Sequence, residues 1–168
     1  DVWEKIQSNN LNITTDLVYL YYYAGANYLL LEKWDEAISN FQKVLDKWPD
    51  FLYACVCQDA IAGSYEVLRD TGKAPKEGIN TLLEEAYEAI LAKYPDCYAF
   101  KNTTYKMGGL MFEKGDNQSA LYYYNKFLEL TKSLETARIT CSQDKKLKIE
   151  RDEVKTKIAS FSAIGGSN

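Results

Sequence analysis

Apolar residues recur along this chain every three or four positions, the spacing of a helix face, and they do not alternate as in a strand. In the clearest stretch, Tyr21, Ala24, Gly25 and Tyr28 stand at i, i+3, i+4 and i+7. This spacing places the four side chains on one face of a predicted helix. A second stretch with the same rhythm contains Ala37, Phe41 and Val44. The two stretches predict a pair of amphipathic helices.

Short polar segments separate the apolar stretches. The first two are divided by Glu32-Lys33-Trp34-Asp35, and the second ends at Pro49, which lacks the backbone N–H that a helix needs to continue. A later segment, Lys114-Gly115-Asp116-Asn117, is a strong turn signal. The chain therefore predicts successive helices joined by turns.

The pattern repeats along the chain. The tetrapeptides KWPD and KYPD begin at Lys47 and Lys93, 46 residues apart. Thirteen residues after the Pro of each stands a small residue, Ala62 or Gly108, and Gly25 occupies the same context upstream. A repeat of this length is typical of helix-turn-helix arrays. The sequence thus contains three units, each predicted to hold two helices.

The first unit resembles the tetratricopeptide repeat, a motif of about 34 residues. The matching residues are Tyr21, Ala24, Gly25, Tyr28, Ala37, Phe41, Val44 and Pro49. Ala24 stands where the motif prefers Leu. The third unit matches through Met107, Gly108, Met111, Ala120, Tyr124 and Phe127. The second unit is atypically long, and with its Pro-Asp boundaries the chain is similar to tetratricopeptide proteins of bacterial envelopes.

The resemblance implies an all-α fold in which antiparallel helix-turn-helix repeats stack in a right-handed superhelix, a TPR-like α-solenoid with a C-terminal capping helix. About eight helices are expected. We expect residues 1–168 to form one domain. Its expected parts are an N-terminal turn or cap at 1–15, repeat 1 at 16–50, an extended repeat 2 at 51–96, repeat 3 at 97–132, the capping helix at 133–163 and a flexible tail at 164–168.

The second unit and the C-terminal segment carry further expectations. Relative to a repeat of about 34 residues, the second unit is stretched by twelve. Two Gly and one Pro within 69–78 predict extended helix ends around a protruding loop at residues 70–77. The segment Asp144 to Ala163 has an apolar face with charges between, as a capping helix requires. The residues of that face are Leu147, Val154, Ile158 and Phe161.

In the family, the first helix of each unit lines a concave groove that binds other proteins. The resemblance places these residues in the groove: Tyr19, Tyr22, Ala26, Leu29, Val56, Asp59, Gly63, Glu66, Asn102, Tyr105, Gly109 and Phe112. The groove is expected to be aromatic with an acidic middle. It lacks the Lys and Asn pattern by which some tetratricopeptide domains hold a C-terminal carboxylate. The predicted function is a scaffold that binds a peptide or a partner protein.

Composition argues against several other functions. The net charge is −4, with 20 basic and 24 acidic residues interspersed, which disfavours nucleic-acid binding. Histidine is absent, and with it most routes to acid–base catalysis at neutral pH, so we expect no enzyme, no catalytic residue and no cofactor. Cys55 and Cys57 point about 200° apart on a helix, so no metal site is expected. No apolar run reaches the roughly 20 residues of a membrane span.

The sequence leaves two alternative functions open. The Tyr-rich surface could belong to a carbohydrate- or small-ligand-binding carrier module, or it could mediate self-association of the chain. An extracytoplasmic or periplasmic location is favoured over the cytoplasm, because the missing initiator Met fits a trimmed export signal. The pairing of the four cysteines is not deducible from the sequence.

Overall fold

A computed structural model describes residues 13–135 and 142–165, and all regular structure in these two ranges is helical. The prediction of an all-α fold is confirmed. In chain order the helices are α1 (Ile13–Leu30), α2 (Trp34–Lys47), α3 (Ala54–Asp70), α4 (Lys76–Lys93), α5 (Phe100–Glu113), α6 (Asn117–Leu130), a short 3-10 helix (Lys132–Glu135) and α7 (Ser142–Gly165). The expected N-terminal cap lies mostly outside the described residues, as does most of the expected tail.

The helices form two compact units, Asp1–Ala86 and Tyr87–Asn168. In the first unit, α2 packs against both α1 and α3. In the second unit, α6 packs against both α5 and α7. Each unit therefore has three consecutive helices of which the middle one contacts both neighbours, as expected of helix-turn-helix repeats; α4 is divided between the units at Ala86 and Tyr87.

Helices α1 and α2 approach closely at Gly25. A Cβ atom at this position would lie 2.9 Å from two carbons of the Phe41 ring. Phe41 is 2% exposed, and its α2 neighbours Ala37 and Val44 are fully buried. The prediction that Gly25 lets the two helices touch is confirmed, and the large ring opposite it fills the space that the missing side chain leaves.

The α5–α6 pair repeats this contact 83 positions further along the chain. Gly108 corresponds to Gly25 and Tyr124 to Phe41, and a Cβ atom at Gly108 would lie 2.6 Å from the Tyr124 ring. The helix bounds follow the same shift, because α1 and α5 end at residues 30 and 113, while α2 and α6 span 34–47 and 117–130. Repeats one and three are therefore built in the same register.

The extra residues of the second repeat lengthen its helices. Helix α4 has 18 residues, whereas α2 and α6 have 14 each, and α3 has 17, which exceeds the 14 of α5 but not the 18 of α1. The connection between α3 and α4 is only residues 71–75, mostly exposed. Extended helix ends are thus confirmed, but three residues predicted to lie in the loop belong to helices: Asp70 ends α3, and Lys76 and Glu77 begin α4.

The first helix of each repeat ends in the same backbone conformation. Glu32, Gly72 and Gly115 have positive φ angles of 55°, 67° and 80°. One residue further on, the backbone N–H of Lys33 donates to the carbonyl of Tyr28 at 2.9 Å. The corresponding bonds from Lys73 and Asp116 are each 3.0 Å. This is the Schellman ending, in which a left-handed residue satisfies the last carbonyls of a helix.

Glu32 is the only one of these three residues that is not glycine, so we expect Glu32→Gly to stabilise the protein. The left-handed conformation costs a side chain about 1 to 2 kcal/mol, more than the roughly 0.5 to 1 kcal/mol of backbone entropy that glycine loses. Urea unfolding should show a gain of about 0.5 kcal/mol or more. Gly115→Ala is the reciprocal control and should lose stability. A less stable Glu32→Gly variant would contradict the assigned helix ending.

Candidate functional site

The twelve predicted groove residues are spread over three helices, four each on α1, α3 and α5. None of them is buried: Phe112 is 44% exposed and the other eleven are half-buried. Adjacent positions on the same helices belong to the core, among them Gly25, Cys57, Ile61, Met107 and Gly108. The sequence register thus separates a buried face from a face that solvent reaches on each of these helices.

On α1 the groove positions join a continuous group of aromatic rings, which we name the tyrosine cluster: Tyr19, Tyr22, Tyr23, Phe51 and Tyr53. Tyr22 stacks on Tyr53 with ring centroids 5.3 Å apart and an interplanar angle of 22°. Tyr19 stacks on Tyr23 at 6.1 Å and 25°. Phe51 meets Tyr19, Tyr22 and Tyr53 edge-on at 5.3, 5.8 and 5.4 Å.

Three members of the tyrosine cluster were not among the predicted groove residues. Phe51 and Tyr53 come from the segment between α2 and α3, and Tyr23 is 58% exposed on α1. The sequence signal that could have indicated the first two was the aromatic run directly after the Pro49-Asp50 boundary. The cluster therefore extends the predicted surface from one helix onto the adjacent connection.

The Tyr22 ring lies among other aromatic rings. Burial raises the pKa of its hydroxyl, and the nearby Cys57, Tyr53 and Tyr23 raise it further. Burial also raises the pKa of the free Cys57 thiol, to about 12. Both groups are therefore protonated at neutral pH, so this part of the molecule presents hydroxyl donors and no thiolate nucleophile.

The groove positions on α3 are less aromatic. Asp59 and Glu66 supply half-buried carboxyl groups, which is the acidic middle that the sequence predicts. A Cβ atom added to Gly63 would meet no atom within 4 Å, so the surface beside it is open. This segment thus combines negative charge with free space next to the helix backbone.

Helix α7 lies over the groove positions of α5. The Tyr105 hydroxyl donates a hydrogen bond of 2.8 Å to Oε2 of Glu153, and Nζ of Lys157 lies 5.6 Å from the Tyr105 ring centroid. Burial raises the pKa of Tyr105, and the hydrogen bond to Glu153 raises it further. The Phe112 ring meets Phe161 edge-on at 5.5 Å. Tyr105 and Phe112 therefore help to hold α7 against α5. Both side chains also remain partly accessible to solvent.

Helix α7 carries two adjacent buried charged residues, and one of them, Arg151, connects it with the end of α6. Arg151 is 5% exposed and donates hydrogen bonds to the carbonyl oxygen of Leu128 and, at 3.0 Å, to Oγ1 of Thr131. The carbonyl end of a helix favours a cation. Beside it, burial raises the pKa of the Glu150 carboxyl, while Lys146, whose Nζ lies 3.7 Å from Oε1, lowers it. The expected capping segment is thus fastened by polar contacts as well as by its apolar face.

The cysteines divide into two kinds. Cys55 and Cys97 are disulfide-bonded, whereas Cys57 is a buried free thiol. Within the ranges 13–135 and 142–165, no group of three or more acidic or cysteine side chains is arranged to hold a metal ion. The cysteines consequently suggest a structural role.

A surface cavity of about 500 Å³ adjoins the tyrosine cluster and shares Tyr19 and Phe51 with it. Its other lining residues are Val18, Lys47, Trp48, Pro49, Asp50 and Leu52. In the second unit, a separate cavity of about 490 Å³ is more polar and includes Asp96, Lys101 and Asp144. The first cavity thus adds apolar and aromatic surface next to the cluster.

The tetratricopeptide repeat family model matches residues 19–50, which include most of α1, all of α2 and the Pro49-Asp50 boundary. The match supports the identification of the chain as a tetratricopeptide repeat protein. Tetratricopeptide repeats generally mediate protein–protein interactions and are typically non-catalytic. No curated protein matches the chain. In the part of this tetratricopeptide protein that the structure describes, no helix is long and apolar enough to cross a membrane.

Proposed function

We propose that this tetratricopeptide repeat protein is a non-catalytic scaffold that binds a peptide or a partner protein at its groove positions, chiefly through the tyrosine cluster. The observation that carries this proposal is the exposure of aromatic rings at positions that the core does not need. Tyr23 and Tyr53 are 58% and 38% exposed, although the adjacent slots of the helix are already filled by Gly25 and its contact with Phe41.

Aromatic rings suit this role energetically. Tyrosine offers a large, rigid contact area with few rotatable bonds, so ordering it on binding costs little entropy. Rings that already stack on one another, such as Tyr22 on Tyr53, are further restricted before a partner arrives. Such preorganisation reduces the cost of association. The cluster is therefore better suited to binding than exposed tyrosines that stand outside it.

An extracytoplasmic location forms part of the proposal. Disulfides persist in oxidising compartments and are rare in the cytosol. The disulfide-bonded states of Cys55 and Cys97 support such a location. Partner proteins should accordingly be sought among exported proteins.

The proposal is tested by capturing partners from the source organism on immobilised protein and measuring their affinity for purified variants. The double variant Tyr19→Ala/Tyr22→Ala should weaken a true partner by more than about tenfold, because truncating a buried aromatic anchor commonly costs about 2 kcal/mol or more. Both positions belong to the predicted groove and to the tyrosine cluster.

The matched control is Tyr98→Ala/Tyr122→Ala, which removes two rings that are 59% and 60% exposed outside the cluster. This control should bind the partner at full strength. Thermal unfolding of both double variants reports on the fold. An unfolded Tyr19→Ala/Tyr22→Ala variant would show that these rings serve the core, and full binding by a folded one would place the interaction elsewhere; either result contradicts the proposal.

A further inference from the structure

The tyrosine cluster presents phenolic hydroxyl groups that donate no hydrogen bond within the described part of the protein. The hydroxyls of Tyr19, Tyr22, Tyr23 and Tyr53 make no hydrogen bond to any residue within 13–135 or 142–165. Tyr105 is different, since its hydroxyl donates to Glu153. The cluster therefore combines exposed ring faces with four phenolic groups that are available to a ligand.

The rings of the tyrosine cluster form two stacked pairs that lie at an angle to each other. The stacked pairs Tyr19–Tyr23 and Tyr22–Tyr53 are each nearly parallel within the pair. Tyr22 and Tyr23 meet at 66° with centroids 5.3 Å apart, so the two pairs are turned relative to each other. Flat aromatic walls at an angle can hold a compact saturated ring by contact with its faces.

A ligand that matches this surface should carry hydrogen-bond acceptors, rigid apolar rings and little charge. A proline-rich segment has these properties, because each proline has a carbonyl but no N–H, and the polyproline II helix leaves its carbonyls unbonded. Its conformation is also largely formed before binding, which reduces the entropy cost. Aromatic-lined grooves are a general means of binding such segments.

We propose that the tyrosine cluster binds a proline-rich extended segment of its partner, with proline rings against the tyrosine faces and phenolic hydroxyls donating to backbone carbonyls. This inference rests on the proposed scaffold function and specifies the chemistry of the partner. The adjacent cavity of about 500 Å³, with Trp48 and Phe51 in its lining, offers room for a further apolar residue of the same segment.

A sugar fits the cluster less well. Sugars carry many hydroxyls that both donate and accept, and protein sites satisfy them with carboxylate and amide side chains. The Tyr22 ring contacts the rings of Tyr23, Phe41, Phe51 and Tyr53, none of which carries a charge. Most hydroxyls of a bound sugar would lose water without gaining a partner, which costs binding free energy.

The test is a binding titration of the purified protein with labelled decaproline, followed by fluorescence anisotropy. A Gly-Ser peptide of equal length and a β-linked glucose tetrasaccharide serve as comparison ligands. Decaproline should bind saturably and at least about tenfold more tightly than the Gly-Ser peptide. Tyr23→Ala/Tyr53→Ala should weaken decaproline binding by about tenfold or more. Tyr98→Ala/Tyr122→Ala should leave it unchanged.

The variant Tyr23→Phe/Tyr53→Phe keeps the rings and their packing and removes only two hydroxyls. It should fold normally and weaken decaproline binding by about three- to tenfold, since each lost hydrogen bond reduces affinity. Decaproline that binds no better than the Gly-Ser peptide overturns the inference, and so does cluster-dependent binding of the tetrasaccharide alone. If decaproline fails to bind but a partner captured from the source organism still depends on Tyr19 and Tyr22, the scaffold function stands and only the proline-rich assignment is wrong. If neither decaproline nor such a partner binds, both proposals are wrong.

Discussion

Gly108→Ala is expected to lower the free energy of unfolding by about 2 to 3 kcal/mol, although alanine is the better helix former. The added Cβ would lie 2.6 Å from two carbons of the Tyr124 ring. Tyr124 is fully buried, so its ring has little room to move. The contact is relieved only by separating α5 from α6 or by forcing the ring out of its preferred rotamer.

The matched control for this substitution is Gly63→Ala, where the added Cβ meets nothing within 4 Å. It should stabilise the protein by about 0.5 to 1 kcal/mol, because glycine in a helix interior is costly. Gly25→Ala should destabilise less than Gly108→Ala, since its closest contact is 2.9 Å. Urea unfolding monitored by circular dichroism gives all three values. Equal stabilities of the two variants Gly108→Ala and Gly63→Ala would contradict the close helix contact.

Arg151→Met is expected to destabilise the protein by about 2 to 4 kcal/mol, mainly by weakening the attachment of α7. Methionine keeps much of the apolar length of the side chain but cannot donate to the Leu128 carbonyl or to Thr131 Oγ1. The Leu128 carbonyl at the end of α6 would then keep only the long hydrogen bond of 3.5 Å from Thr131 Oγ1. The favourable interaction of the guanidinium with that helix end would also be lost.

Lys148→Met is the control for the loss of a positive charge from α7, because Lys148 is exposed on the same helix. Its effect should stay within about 0.5 kcal/mol. Limited proteolysis complements the unfolding data, since Arg151→Met should increase cleavage within 142–165 before the rest of the chain is cut. A loss of less than about 0.5 kcal/mol in Arg151→Met would show that its hydrogen bonds do not hold α7.

The helix pairs of the first and third repeats could be predicted from the sequence because their contact depends on residue size at fixed spacing. A glycine and an aromatic residue 16 positions later, Gly25 with Phe41 and Gly108 with Tyr124, are visible as a pattern. The same reasoning predicted a groove face, and the residues assigned to it are partly exposed. Its role in binding stays a proposal.

Other features depend on contacts that spacing does not encode. Glu32 has a positive φ angle, which glycine adopts most easily, because the Schellman hydrogen bonds hold it there. Glutamate itself does not favour this kind of helix ending. The tyrosine cluster includes Phe51 and Tyr53 only because the connection after α2 folds back against α1. In the sequence, Arg151 looks like any charged residue of an amphipathic helix. Its role follows only from the structure, which places it beside the end of α6.

The central claim, that the groove face with its tyrosine cluster binds the partner, is tested most directly by hydrogen–deuterium exchange of the protein with and without a captured partner. With the partner bound, we expect slower exchange in peptides from α1, from the connection at 48–53 and from the first half of α3. The second helices α2 and α6 should exchange at unchanged rates. Protection confined to residues 71–75 and α4, with α1 unaffected, would contradict the account.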